Sequence, residues 1–389
     1  MTRRQPPADA PPRPVRDVDK SDFLIDPDPD WAKDWWGMPG FTQRDARPAQ
    51  SVTVHFMSAA DAAAFSELTG IALTDRTDSA WFPPQDRMGP IEYYYDGPPV
   101  GAKYPVCVPS KGRAALQTTG RLLDRLGVAH KFFVEETEYD TYCEHLGPDR
   151  VVELPFHDLG RGSIPARNFI WDWCHERGHA RHWVVDDNIR KFVRCDWNRR
   201  LQVRGGGFFR AMEEFVDRYE NVALAGPHEM TFVADRNPNL RPVLWNSRVY
   251  SCILIDTTLP YKWRGKYNED TDLSLRALKD GYCTLLFNAL MMNKSGTATG
   301  DGTVSGGAMP GGNTDTVYAA GDYRREFAES LKRQHPDVVD VVWKFNRWHH
   351  QVDYSPFRRN KPRLRPGVVP NRTVNDFGME LVRRPDAGH

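Results

Sequence analysis

No apolar run in this chain approaches the ~20 residues that a membrane-spanning helix needs, and the first residues lack the apolar core of a signal peptide. Six cysteines are scattered without a Cys-x-x-Cys pair, so neither a zinc site nor a disulfide framework is indicated. Together these absences predict a soluble protein of a reducing cytoplasm. The formal net charge is +0, which gives no overall electrostatic reason for a polyanionic partner. The chain also lacks a clear glycine-rich phosphate loop, since Pro109-Ser110-Lys111-Gly112-Arg113 holds one glycine. What remains is ample: 389 residues, 40% of them hydrophobic, suffice for one large α/β domain with appendages.

The most informative stretch is His182-Trp183-Val184-Val185-Asp186-Asp187-Asn188, a short apolar run that breaks into two acids and an amide. Such a run reads as a buried strand, and in α/β sheets ligands sit beyond the carboxyl ends of strands. Asp186, Asp187 and Asn188 are hard oxygen donors that suit Mg2+ or Mn2+ bound together with substrate phosphates. They equally suit a turn capping a following helix. Upstream, Ser163 to Cys174 predicts a helix with Ser163 at the N-cap, Pro165 in the first turn and Gly178 as the stop. Its first turns carry Arg167 and Asn168, where a guanidinium can meet phosphate or one of the acids. Tyr104 to Arg113, Lys131 to Glu136 and Val151 to Pro155 read as three further strands separated by helical segments. Alternation of this kind predicts a mostly parallel sheet flanked by helices. It gathers Pro109, Ser110, Lys111, Arg113 and Glu135 along the same edge as the acids.

The order of these motifs resembles GT-A glycosyltransferases, the Rossmann-like nucleotide-diphospho-sugar transferases. More narrowly, Tyr104 to Arg113, Ile164 to Trp171 and Gly178 to Asn188 resemble the TET-associated glycosyltransferases, phage enzymes linked to glycosylation of 5-hydroxymethylcytosine in DNA. The resemblance spans roughly residues 100 to 350. It implies a nucleoside-diphosphate-sugar donor, UDP-sugar first, with Pro109 to Arg113, Glu135, Arg167 and Asn168 around it. It places Asp186, Asp187 and Asn188 where GT-A enzymes carry an Asp-x-Asp metal motif for Mn2+ or Mg2+. The strict pattern wants an acid at position 188. Asn188 departs from it, although an amide oxygen can coordinate, and which of the three touches metal stays open.

A second acidic cluster, Asn268-Glu269-Asp270-Thr271-Asp272, opens a helical pattern that runs to Gly281. Acids in a first turn are also ordinary dipole chemistry. By the resemblance, Asp270 is the first choice for the general base, with Glu269 and Asp272 as alternates. The strand Tyr282 to Phe287 follows. From Gly296 to Gly312 the chain holds seven glycines, a composition that suits a linker or a lid over the donor sugar. Some GT-A enzymes return a C-terminal histidine to the metal, and His349 and His350 are the candidates by order.

Residues 1–48 read as a largely disordered, Pro-rich segment. Residues 49–100 read as a small α+β accessory module, with strands at Ser51 to Phe56 and Ala80 to Phe82 around a helix at Ala59 to Leu68. The catalytic domain is expected over 101–345, and 346–389 as a basic extension. From Arg347 to Arg372 there are seven Lys or Arg against one acid, interleaved with aromatics, and Arg190 to Arg218 adds eight against four. That mixture suits a phosphate backbone and an unstacked base. The expected function is metal-dependent transfer of a sugar to 5-hydroxymethylcytosine in double-stranded phage DNA, in the host cytoplasm. A GT-A transferase with a non-DNA acceptor, a nucleotidyltransferase and a non-catalytic DNA-binding protein are the alternatives.

Overall fold

The structure, a computed structural model, describes residues 30–43, 48, 50–74, 77, 79–82, 93–234, 239–265, 267–295, 324–344, 347–369 and 371–384. The first half of these residues contains α1 (Ala59–Thr69), β1 (Tyr93–Asp96), β2 (Val106–Pro109), α2 (Thr118–Arg125), β3 (His130–Glu135), α3 (Tyr139–Leu146), β4 (Val151–Leu154), α4 (Ile164–Glu176) and β5 (Arg181–Val185). Then come β6 (Ile189–Asp196), β7 (Arg199–Val203), α5 (Phe208–Val216), β8 (Val222–Glu229), β9 (Val243–Trp245), β10 (Cys252–Asp256), α6 (Glu269–Lys279) and β11 (Cys283–Lys294). The last are α7 (Arg324–Gln334), β12 (Val339–Lys344), β13 (Arg347–Val352) and β14 (Glu380–Arg383).

Twelve strands form one mixed sheet in the order β14-β1-β7-β6-β11-β8-β10-β5-β2-β3-β4, with β9 alongside β11. Tracing the pairings, all strands but β6, β9, β10 and β14 run the same way. The sheet is therefore mostly parallel, as the strand and helix alternation predicts. Period-two alternation sends successive side chains to opposite faces. Trp183 and Val185 of β5, with Phe132 and Val134 of β3, pack against Leu122 of α2 and Phe209 of α5. Val184 and Phe133 face the other way, against Ile170 and Trp171 of α4 and Leu273 of α6. The result is a three-layer α/β/α arrangement with helices on both faces of the sheet.

The carboxyl ends of β2, β3 and β5 fall on one edge, and β10, antiparallel to β5, begins there. α4 and α6 both bring their amino ends to that edge. This is the place where open α/β sheets bind ligands.

Two expectations change. Residues 51–56 and 80–82 pair with no strand among the described residues. α1 forms as expected but buries no side chain. β1, from the segment expected in an accessory module, instead joins the central sheet between β7 and β14. At this seam a Cβ on Gly97 would stand 1.8 Å from the Gly378 carbonyl oxygen, so only glycine allows the approach. No helix among the described residues is long and apolar enough to cross a membrane.

Candidate active site

All five residues of β5 are buried, and the chain leaves the sheet at Asp186. Its backbone is pinned there: the Asp186 amide donates to the Ser251 carbonyl at 2.7 Å, and Thr119 Oγ1 donates to the Asp186 carbonyl at 2.7 Å. Asp187, 8% exposed, turns its carboxylate back over β2. Its Oδ2 accepts from Ser110 Oγ at 2.6 Å, and its Oδ1 pairs with Arg113 Nη1. Tyr142 Oη accepts from the Arg113 amide at 3.1 Å and lies 2.7 Å from Ser110 Oγ. The relay therefore runs from Tyr142 through Ser110 to Asp187. Burial pushes the Asp187 carboxyl above its ordinary range, against the pull of Arg113 and Ser110.

Arg167 ties this turn to the second acidic cluster. Its side chain is 5% exposed, and Nη2 stands 2.9 Å from Asp186 Oδ1. Nη1 reaches Asp270 Oδ1 at 2.6 Å and Glu269 Oε1 at 3.1 Å. The guanidinium also packs 4.7 Å from the centre of the Trp263 ring. Burial alone would lower the Arg167 pKa, but the three carboxylates override it and raise it. Burial, then repulsion from Asp270, pushes Glu269 up to about 7 despite Arg167. Asp270 is also raised, by burial first, with Arg167 and Lys294 opposing. One buried cation facing three acids leaves an excess of negative charge that a proton or a further cation must balance.

A cavity of about 210 Å3 opens beside this constellation, lined by Pro109, Ser110, Lys111, Arg113, Glu135, Arg167, Asp186, Asp187 and Asn188. At its β3 end, Lys111 Nζ bonds Glu135 Oε2 at 2.6 Å and Asp158 Oδ1 at 2.5 Å. The Asp158 amide donates back to Glu135 Oε2 at 3.1 Å. Nine of the residues singled out by sequence thus line one cavity, and Glu269 and Asp270 reach it through Arg167.

Four do not. Asn168 turns away: its amide oxygen accepts from the Trp263 amide at 2.8 Å and its Nδ2 donates to the Trp263 carbonyl at 2.9 Å. Asp272 is 1% exposed and faces the opposite side of α6, where Arg264 Nη2 at 3.0 Å, Arg276 Nε at 2.9 Å and His335 Nε2 at 2.9 Å surround it. Burial would raise its pKa, but the bonds from His335 and Arg264 hold it below the usual range. His349 and His350 sit on β13, where His349 Nε2 accepts from Arg347 Nε at 2.9 Å and His350 Nε2 lies 3.5 Å from Arg248 Nη1. Among the described residues no group of three or more His, Cys, Asp or Glu side chains is arranged for a metal. The Gly296 to Gly312 segment lies outside the described residues.

One oxygen at the turn stands ready for a cation. Asn188 Oδ1 is buried without a hydrogen-bond partner, and an orphaned acceptor at such a position is costly unless something coordinates it. Asp186, engaged by Arg167 through Oδ1, adjoins it, and one or two protein oxygens are the usual share when phosphates and waters supply the rest. The donor set fits Mg2+ or Mn2+.

Sequence reasoning passed over Tyr142, Ser251, Asp158 and Lys294. Lys294, at the end of β11, donates to Ser251 Oγ at 2.8 Å; its strand-end position was the available signal. Tyr142 sits inside α3 and carries none.

A family model described as TET-Associated Glycosyltransferase matches residues 104–303. No curated protein sequence matches the chain.

Proposed function

The chain belongs to the TET-associated glycosyltransferase family and is a glycosyltransferase, and from that premise we propose that it is a GT-A-type, metal-dependent enzyme acting on DNA. It moves a sugar from a nucleoside-diphosphate-sugar, UDP-sugar first, to the hydroxyl of 5-hydroxymethylcytosine in phage DNA. The observation that carries this reading is Arg167, which joins Asp186 at the nucleotide edge to the Glu269 and Asp270 pair. Donor and acceptor chemistry are thereby held side by side across one side chain.

The cavity between Glu135 and Asp187 takes the nucleoside diphosphate. Lys111 and Arg113 are its cationic lining, and their present partners, Glu135 and Asp187, keep both side chains in place. Asp186 and Asn188 would hold Mn2+ or Mg2+, which supplies charge neutralisation for the departing diphosphate. Asp270, the member of the pair closer to Arg167, takes the proton from the acceptor hydroxyl. As that O–H bond breaks, the oxygen bonds the anomeric carbon and the nucleoside diphosphate leaves with the electron pair of its former bond to that carbon. Proton removal need only accompany attack on a carbon already carrying positive charge, so a carboxylate is basic enough. A hydroxymethyl group in the major groove is reachable without unstacking its base.

The test is release of nucleoside diphosphate from a panel of nucleotide-sugars, with and without Mn2+, in the presence of 5-hydroxymethylcytosine duplex. Release from one donor, stimulated by that duplex and not by unmodified DNA, is the expected result. Release equal with both duplexes would contradict the acceptor.

A further inference from the structure

A second cavity, of about 370 Å3, opens on the outer side of α5, within the size range of small-ligand sites, about 300–1,000 Å3. α5 turns Phe209, Met212 and Phe215 into the core and leaves Arg210 and Glu214, four residues apart, on the cavity. The remaining walls come from two distant parts of the chain, Trp36 and Gly37 on one side and residues 371–377 on the other. Both lie outside residues 104–303, so the family match accounts for neither.

Arg218, which lines this cavity, is 9% exposed, and its guanidinium lies 3.9 Å from the centre of the Trp36 ring. All its hydrogen bonds go to uncharged groups. Nη1 donates to the Trp36 carbonyl at 2.7 Å, and Nη2 to the Gly37 carbonyl at 3.5 Å and Met38 Sδ at 3.3 Å. Glu214 pairs instead with Arg210, Oε1 to Nε at 3.1 Å, and among the described residues no carboxylate comes within ion-pair distance of Arg218. A buried cation without a counter-charge is costly. Burial accordingly lowers the Arg218 pKa, against the weaker pull of Tyr219 and Glu214. An anion entering the cavity would supply the missing charge.

The rest of the lining fits a flat ring attached to that anion. Trp36 and Phe377 are half-buried aromatic walls. Asn371 Oδ1 accepts from the Thr373 amide at 3.0 Å, and Asn375 Oδ1 from the Phe377 amide at 2.9 Å. Their Nδ2 groups are left as donors with no partner among the described residues. Phe377 stands at φ 51°, a left-handed conformation that a bulky residue keeps only where its surroundings enforce it. Aromatic faces for stacking, amide donors for a base edge and a guanidinium for phosphate are together the chemistry of nucleotide recognition. We propose that this cavity is a second nucleotide site, separate from the donor cavity, which takes a free nucleotide or one unstacked nucleotide of a strand. It does not depend on the reaction proposed above.

The test is amide hydrogen exchange of the full, unaltered chain, read by mass spectrometry while deoxynucleoside 5′-monophosphates, a single-stranded trinucleotide or inorganic phosphate is titrated in. Slowed exchange in residues 34–38, 208–218 and 371–377 is the expected result. Protection by a monophosphate identifies a free nucleotide as the source, and protection by the trinucleotide alone identifies a strand. In R218Q, with its thermal midpoint as the check on folding, the midpoint of that titration is expected to rise about tenfold, the usual worth of one charge-assisted hydrogen bond. An unchanged midpoint in folded R218Q would overturn the site. Protection confined to residues 109–113 and 186–188 would overturn it too while leaving the donor cavity standing. Equal protection by inorganic phosphate would overturn the nucleotide.

Discussion

Asp270 and Asp272 lie two residues apart on α6 and meet different surroundings, because two residues of helix turn a side chain by roughly 200°. Asp270 reaches Arg167 at the cavity, whereas Asp272 is enclosed by Arg264, Arg276 and His335. The two should therefore fail in different ways. Asp270→Asn should cost about 10²- to 10⁴-fold in transfer rate, the usual worth of a general base, while calorimetry shows nucleotide-sugar binding retained. Asp272→Asn should leave Arg264 and Arg276 without the buried carboxylate they pair with and lower stability on the order of 3 kcal/mol, read as a lower urea midpoint. An Asp272→Asn protein that is fully stable but inactive would return Asp272 to the reaction.

Glu269 adds a pH dependence of defined sign. Its folded pKa is raised from 4.5 to about 7, so between those values the folded state keeps a proton that the unfolded state has released. The stability it contributes is complete below about 4.5 and is lost as pH rises through 7. Glu269→Gln should flatten that slope, measured as the difference in thermal midpoint between roughly pH 5 and pH 8. An unchanged slope would assign the effect to another group.

At the scale of elements, α4 does two jobs with adjacent residues. Arg167 goes to the acids and Asn168 clamps the Trp263 backbone in both directions, which places Trp263 beneath the Arg167 guanidinium. Asn168→Ala should lower stability by about 1–3 kcal/mol, two hydrogen bonds' worth, with nucleotide-sugar affinity unchanged by calorimetry. Lost affinity at full stability would put Asn168 back at the donor.

The elements that line the cavity were legible because each ends in polar residues after an apolar run, as β2, β3 and β5 do. β6 and β7 were not. Their Arg190, Arg194 and Arg200 read as a basic surface, yet Arg190 reaches Ser295 Oγ, Arg194 reaches the Gly40 carbonyl and Asp376, and Arg200 reaches the Val233 carbonyl. Long basic side chains cover apolar strand surface while their heads find partners at its margin. Arg218 likewise lies 3.9 Å from the centre of the Trp36 ring. Arg190, Arg194, Arg200 and Arg218 are thus built into the fold.

In the whole molecule, the family match over residues 104–303 begins just before β2 and reaches past β11, the part whose strand ends build the cavity. The family resemblance read from Tyr104 to Arg113, Ile164 to Trp171 and Gly178 to Asn188 lies inside that span. Outside it, β1 and β14 pair with each other at one end of the sheet, and the β12 and β13 hairpin packs on Leu275 and Leu278 of α6. The residues that line the cavity could be read from one stretch of sequence at a time. What holds them could not, since Tyr142, Ser251 and Lys294 arrive from segments whose proximity only the sheet order creates.

Transfer of a sugar to a base in DNA is tested most directly by incubation with Mn2+, nucleotide-sugars and duplex DNA containing 5-hydroxymethylcytosine, followed by digestion and nucleoside mass spectrometry. A gain of one sugar residue on 5-hydroxymethylcytosine, absent with Asp270→Asn, is the predicted result. Unmodified 5-hydroxymethylcytosine alongside consumed nucleotide-sugar would contradict it.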